Sequence, residues 1–157
     1  MERLPGIVDQ AKLSDAESIK RLVKRFADDG KMLHREVDAI CNDIDDYLVC
    51  RVDNEIVGCA ALHRLSDNLA EIRAVAVREE DQKRGIGTSL VLACLEKAQA
   101  LGVPKILLLT YEPGYFGRFG FKRGKIETFP DKLYGECSTC PKGPPSECSE
   151  TAMVHHL

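Results

Sequence analysis

The sequence predicts an α/β fold in which a mixed, mostly antiparallel sheet is flanked by helices, and three observations carry that expectation. Two apolar runs, Tyr47-Leu-Val-Cys-Arg-Val52 and Ile56-Val-Gly-Cys-Ala-Ala-Leu62, stand on either side of Asp53-Asn54-Glu55, as the strands of a β-hairpin do. A further apolar run, Leu69-Ala-Glu-Ile-Arg-Ala-Val-Ala-Val77, leads through Gly85-Ile-Gly87 into a helical pattern. The uninterrupted run Lys105-Ile-Leu-Leu-Leu-Thr110 that follows has the character of a strand buried on both faces.

Each element is justified in order along the chain. A short strand is expected near residues 6–11. Ser14-Asp-Ala-Glu17 has the form of a capping box, and Ile19, Leu22, Val23 and Phe26 then recur at helical spacing until Asp29-Gly30 stops the helix. After the loop Lys31-Met-Leu-His-Arg35, residues 35–46 form a short acidic helical pattern with Val37, Ile40, Cys41 and Ile44 on one side. The two hairpin strands and the run at 69–77, separated by Ser66-Asp67-Asn68, read as three consecutive antiparallel strands. In residues 85–100, Leu90, Val91, Cys94, Leu95 and Ala98 mark one helix face, which Gly102 and Pro104 end. Strand 69–77, helix 85–100 and strand 105–110 together make a β-α-β unit. A helical piece at 115–119, a strand at 120–125, a Cys/Pro/Gly-rich loop and a last strand at 151–157 complete the chain.

The length of 157 residues and an apolar fraction of 44% suit one domain, residues 1–157, with a cysteine-rich segment at 129–157. A formal net charge of -3 gives no global reason to expect a nucleic-acid or membrane partner. No apolar run approaches the roughly 20 residues that span a bilayer, and MERLPGIVDQAKL has no signal-peptide core, so a soluble, cytoplasmic protein is expected. Seven cysteines cannot all pair internally. Cys41, Cys50, Cys59 and Cys94 lie in apolar, periodic contexts and read as small buried side chains.

The stretch Glu79-Glu-Asp-Gln-Lys-Arg-Gly-Ile-Gly-Thr-Ser-Leu90 is the richest in chemical implication. Glycines at a helix entry let backbone N–H groups approach an anion at the positive end of the helix dipole. A triphosphate loop needs a lysine before its hydroxyl residue, and Gly87-Thr88-Ser89 has none; a dinucleotide loop needs a third glycine where Leu90 stands. The remaining pattern, Gln82-x-x-Gly85-x-Gly87 between a strand and a helix, resembles the pyrophosphate loop of GCN5-related N-acetyltransferases (GNAT), which use acetyl-coenzyme A. The resemblance runs from about residue 8 to residue 121. It implies that Gln82, Lys83, Arg84, Gly85, Ile86, Gly87 and Thr88 hold acetyl-CoA, with Lys83 and Arg84 adding charge toward its 3′-phosphate.

Within that family, Gly58-Cys-Ala-Ala-Leu-His63, Ala70-Glu-Ile-Arg-Ala-Val-Ala-Val77, Leu109-Thr-Tyr-Glu-Pro-Gly-Tyr-Phe116 and Phe129-Pro-Asp-Lys-Leu-Tyr-Gly-Glu-Cys137 resemble the small amino-acid N-acetyltransferases of the N-acetylglutamate synthase type. The implied reaction transfers acetyl to the α-amino group of L-glutamate, the entry step of arginine biosynthesis. An ammonium must lose a proton before its nitrogen attacks, and Glu71 matches the position of a family base; its plainer reading is a strand-edge carboxylate paired with Arg73 or a lysine. Backbone N–H groups at Val75 or Val77 match the donors to the thioester carbonyl. Phe116 stands where many members carry a proton-donating tyrosine, which leaves Tyr111 or solvent to protonate the thiolate. Arg35 matches a carboxylate-binding arginine, with Arg73 and Lys132 as further candidates, because a guanidinium binds a carboxylate bidentately. His63 is either a site wall or a hydrogen-bonded strand residue. Other acceptor amines, or a non-catalytic acetyl-CoA-binding module, remain as alternatives, and an exposed sheet edge would permit a homodimer.

Cys137-Ser-Thr-Cys140 and Cys148 offer three thiols at spacings open to a structural zinc, to unpaired loop thiols or to a disulfide.

Overall fold

Strands neighbour one another in the order β1-β2-β3-β4-β5-β7-β6, a mixed and mostly antiparallel sheet with helices in the connections, as expected. The computed structural model describes residues 7–124 and 151–157. Its elements are β1 (Ile7–Gln10), a 3-10 turn (Leu13–Asp15), α1 (Ala16–Asp28), α2 (Val37–Asn42), a 3-10 turn (Ile44–Asp46), β2 (Tyr47–Val52), β3 (Glu55–Ser66) and β4 (Leu69–Val77). A 3-10 turn (Glu79–Asp81), α3 (Ile86–Leu101), β5 (Lys105–Thr110), α4 (Pro113–Gly117), β6 (Lys122–Arg123) and β7 (Thr151–His156) follow. The chain divides into two compact units, one of residues 1–62 and 72–97, the other of residues 63–71 and 98–157.

In the first unit β1 pairs antiparallel with β2, and β2 with β3. Asp53 and Asn54 join β2 to β3 with φ of +52° and +67°, the paired left-handed conformation that matches the twist of a two-residue hairpin. The core packs Ile19, Leu22 and Val23 of α1 and Ile40 of α2 against Tyr47, Val49, Cys59, Ala61 and Ala76 of the strands. That is the face the helical spacing of α1 predicts.

Two helices differ from the sequence expectation. The Ser14–Glu17 capping box does not form. Instead the Asp15 carboxylate accepts the Lys12 N–H at 2.8 Å and a 2.6 Å bond from the Arg51 guanidinium, so a 3-10 turn precedes α1. The second helix is shorter than residues 35–46: α2 stops at Asn42 and tightens into the turn at Ile44–Asp46. Side chains from elsewhere engage the carbonyls of the turn that follows it. Gln10 Nε2 donates to the carbonyls of Ile44 and Asp45 at 3.2 and 3.1 Å, and Lys97 Nζ also bonds that of Asp45.

In the second unit the start of β4 pairs in parallel with β5, Leu69–Glu71 against Lys105–Leu107, which completes the β-α-β connection. β5 pairs antiparallel with β7, and β6 with β7. Leu69, Leu107 and Ala152 form one core cluster there, with Leu65, Leu109 and Val154 packed against them. α3 ends where glycine predicts: Gly102 has φ +74°, its N–H bonds Gln99 C=O at 3.0 Å, and Val103 N–H bonds Ala98 C=O at 3.2 Å. α4 begins at Pro113, two residues earlier than expected, because proline suits the first helical position. Among the described residues no helix is long and apolar enough to cross a membrane.

Candidate active site

The loop ahead of α3 is organised around a buried carboxylate. Asp81, 5% exposed, receives Arg78 Nε at 2.7 Å and lies 3.4 Å from Arg84 Nη1. Gln82 Nε2 donates to the Val77 carbonyl at 3.0 Å and so folds the loop back onto the end of β4. Glu79 is engaged by Arg25 of α1. The acids and bases that crowd this stretch are therefore largely an internal framework, and Arg84 is held against Asp81.

Lys83 stands apart from that framework. It has φ +64°, and with Gln82, Glu79, Phe26 and Lys31 it lines a cleft of about 460 Å³. Gly85 has φ +82°, a conformation that favours glycine. A Cβ built on Gly85 would meet nothing within 4 Å, so the chain leaves open space over this turn. Ser89 N–H bonds the Gly85 carbonyl at 3.0 Å as the opening bond of the helical ladder, which places the amides of Ile86 and Gly87 ahead of it. Open space, a cation and early amides at the head of a 16-residue helix fit a diphosphate.

β4 supplies the next group of candidates. Ala74 has φ +56°, left-handed backbone in a residue with a Cβ, directly before Val75. Such a residue interrupts the strand alternation and re-aims the amides that follow. Cys59 Sγ donates to the Ala74 carbonyl at 3.4 Å. Val75 and Val77 are both half-buried. Glu71, on the same strand, is 3% exposed and pairs in register with Leu107. Because β4 lies between β3 and β5, Glu71 is not the strand-edge carboxylate that its plainer reading supposed.

Arg35 is half-buried and lies in the connection before α2, not inside a helix. Its charge and that of Arg73 act on one group, the hydroxyl of Tyr47, which is 2% exposed. Burial pushes that hydroxyl above its ordinary pKa, and Arg35 and Arg73 pull against the rise. The charges of the two candidate carboxylate-binding arginines thus bear on one buried residue that sequence reading passed over. Tyr47 opens a strand, and nothing in the alternation of that strand singles out its hydroxyl.

In the second unit Tyr111 follows β5 and is 42% exposed. Phe116 belongs to an aromatic cluster, with its ring 5.0 Å from that of Tyr115 and 6.3 Å from that of Phe121. His155 packs beside Phe121 at 5.3 Å. Lys132, Cys137, Cys140 and Cys148 lie outside the described residues.

Gly58 is a further residue whose role the sequence reading missed. A Cβ there would stand 3.0 Å from both Ile86 Cγ2 and Leu90 Cδ1 and 3.3 Å from the Ala76 carbonyl. A lone glycine inside an apolar strand is the signal that marks such close approach.

Comparison with known proteins agrees with this geometry. The chain matches the acetyltransferase (GNAT) family model over residues 16–121. An uncharacterised N-acetyltransferase of Chlorobaculum tepidum is 40% identical over 154 residues, 96% of each chain. An amino-acid acetyltransferase of Mycobacterium tuberculosis is 34% identical over 119 residues, 73% of this chain and 67% of the other. A solved structure from Mycobacterium tuberculosis, in complex with CoA and a second ligand, has a TM-score of 0.82 at 27% identity and covers 96% of this chain and 99% of that one.

Proposed function

The chain belongs to the acetyltransferase (GNAT) family, and from that premise we propose that it transfers acetyl from acetyl-CoA to the α-amino group of an amino acid, with L-glutamate as the leading acceptor. What supports the acceptor is that Arg35 and Arg73, two guanidiniums for a substrate with two carboxylates, both act electrostatically on the buried hydroxyl of Tyr47. The likeness to a protein named amino-acid acetyltransferase supports the same class. Lys132 remains a third candidate for acceptor binding.

Acetyl-CoA supplies an activated acyl group as a thioester. Lys83 and the amides of residues 83–88 hold its diphosphate, while Arg84 keeps the loop in shape through Asp81. Glu71 takes the proton that the acceptor ammonium must lose, directly or through one water. The N–H groups of Val75 or Val77 donate to the carbonyl oxygen as charge builds there. Tyr111 or solvent protonates the departing thiolate, since a thiol with pKa near about 8.5 to 10 is a fair leaving group. The expected setting is the cytoplasm.

Acceptor-dependent release of free CoA thiol from acetyl-CoA, measured across glutamate, glutamine, aspartate and a polyamine, tests the assignment. Glutamate is expected to give the highest kcat/KM. Arg35→Ala and Arg73→Ala should each raise its KM by about ten- to a hundredfold while leaving acetyl-CoA affinity unchanged. Turnover with the polyamine alone, or a glutamate KM indifferent to both substitutions, would overturn the acceptor.

A further inference from the structure

We infer that Cys59 is a positioning residue for acyl transfer: its sulfur holds the peptide between Ala74 and Val75 so that the Val75 N–H points away from the core, toward the carbonyl it is to polarise. The inference deepens the proposed function and rests on the reading of Val75 as that donor.

The geometry begins with Ala74. Left-handed backbone at a non-glycine residue in a strand is unfavourable and persists only where neighbouring groups over-determine it. The φ of +56° therefore needs a restraint, and the 3.4 Å hydrogen bond from Cys59 Sγ to the Ala74 carbonyl provides one. The carbonyl of Ala74 and the N–H of Val75 belong to one trans peptide plane, so they point in opposite directions. A carbonyl tied inward to Cys59 thus sends the Val75 N–H outward. The Ala76 N–H also faces the Cys59 sulfur, which therefore contacts backbone groups on both sides of Val75.

The thiol suits the task because it stays protonated. Cys59 is fully buried, and burial pushes its pKa up to about 12 against the weaker effect of the Ala76 N–H. The side chain is thus a permanent, if weak, donor across the working pH range, and its inaccessibility keeps it from acting as a nucleophile. Position and chemistry are legible in the fold alone, since the sequence shows only a cysteine in an apolar strand.

The test uses the whole chain, a ketone analogue of acetyl-CoA that keeps the carbonyl and cannot transfer it, and amide proton NMR. In the wild type the analogue should shift the Val75 amide proton downfield. Cys59→Ala should lose most of that shift and lower kcat on the order of tenfold, with the Kd for the analogue and the acceptor KM within about twofold of wild type. Cys59→Ser, which restores a donor, should recover at least half of both losses. Cys59→Val provides a second route if Cys59→Ala folds poorly: it fills the space of the thiol without a donor and should give the same split between kcat and KM. A wild-type Val75 amide that does not respond to the analogue would sink the donor reading, and this inference with it. A wild-type response that persists in Cys59→Ala and Cys59→Val with kcat unchanged would overturn the positioning role alone.

Discussion

Gly58 and Ile86 touch with no side chain between them, since a Cβ at Gly58 would stand 3.0 Å from Ile86 Cγ2. Ile86 is the first residue of α3, so the missing side chain on β3 sets how close the amide-bearing end of that helix comes to the sheet. Gly58→Ala should lever this end outward. Overpacking of this size destabilises by about 1 to 3 kcal/mol. The expected signature is a lower Tm together with weaker acetyl-CoA binding by calorimetry; a lower Tm with unchanged affinity would separate packing from the site.

The backbone around the candidate site was legible in the sequence. The strand, Gly-x-Gly and helix order located the loop, and Gly85 and Gly102 sit where left-handed backbone is needed, because glycine announces its own conformational freedom. Ala74 does not. Nothing about alanine in an apolar run signals φ of +56°, and the group that bonds the Ala74 carbonyl, Cys59 Sγ, lies on a different strand. The Asp15 and Tyr47 environments were invisible for the same reason. Arg51 reaches Asp15 across 36 positions, and the charges around Tyr47 come from residues on either side of it in sequence. Local pattern reads periodicity and turns; it does not read which distant polar groups meet.

The Asp15 and Arg51 pair should make stability depend on acid pH. Burial alone would raise the Asp15 pKa, but the Arg51 hydrogen bond, the Lys12 N–H and both cations hold it below the usual carboxylate value. A depressed folded pKa gives stability that is present above the unfolded value near about 3.9 and is lost as pH falls through the folded one. Asp15→Asn should therefore cost about 1 kcal/mol at neutral pH, the charged hydrogen bond being discounted for solvent screening. The penalty should vanish in urea melts at pH low enough to protonate Asp15 in the folded state. A constant penalty down the whole range would show that the charge is not what stabilises α1.

Gly85 and Gly87 should separate backbone strain from ligand contact. Gly85→Ala has open space for its methyl group but must adopt φ +82°, a strain of about 1 to 2 kcal/mol. Gly87→Ala lies within α3 and meets a favourable helix propensity of up to about 1 kcal/mol. Tm should accordingly drop for the first variant and hold or rise for the second. Acetyl-CoA affinity should fall in both if these amides meet the diphosphate. An unaltered Kd in both variants would remove the loop from the binding site.

Glu71 offers the sharpest separation of chemistry from structure. Its side chain is 3% exposed on an interior strand, so truncation would leave a cavity and confuse the result. Glu71→Gln keeps volume and most hydrogen-bonding capacity while removing basicity. General-base assistance typically contributes about 10² to 10⁴ in rate, so kcat should fall by at least about 10² with KM for both substrates little changed. The deficit should narrow as pH rises, because free amine then arrives already deprotonated and no longer needs the carboxylate. A parallel drop in kcat at every pH would indicate that Glu71 shapes the strand and that solvent takes the proton. Retention of kcat within about twofold would remove the base role outright.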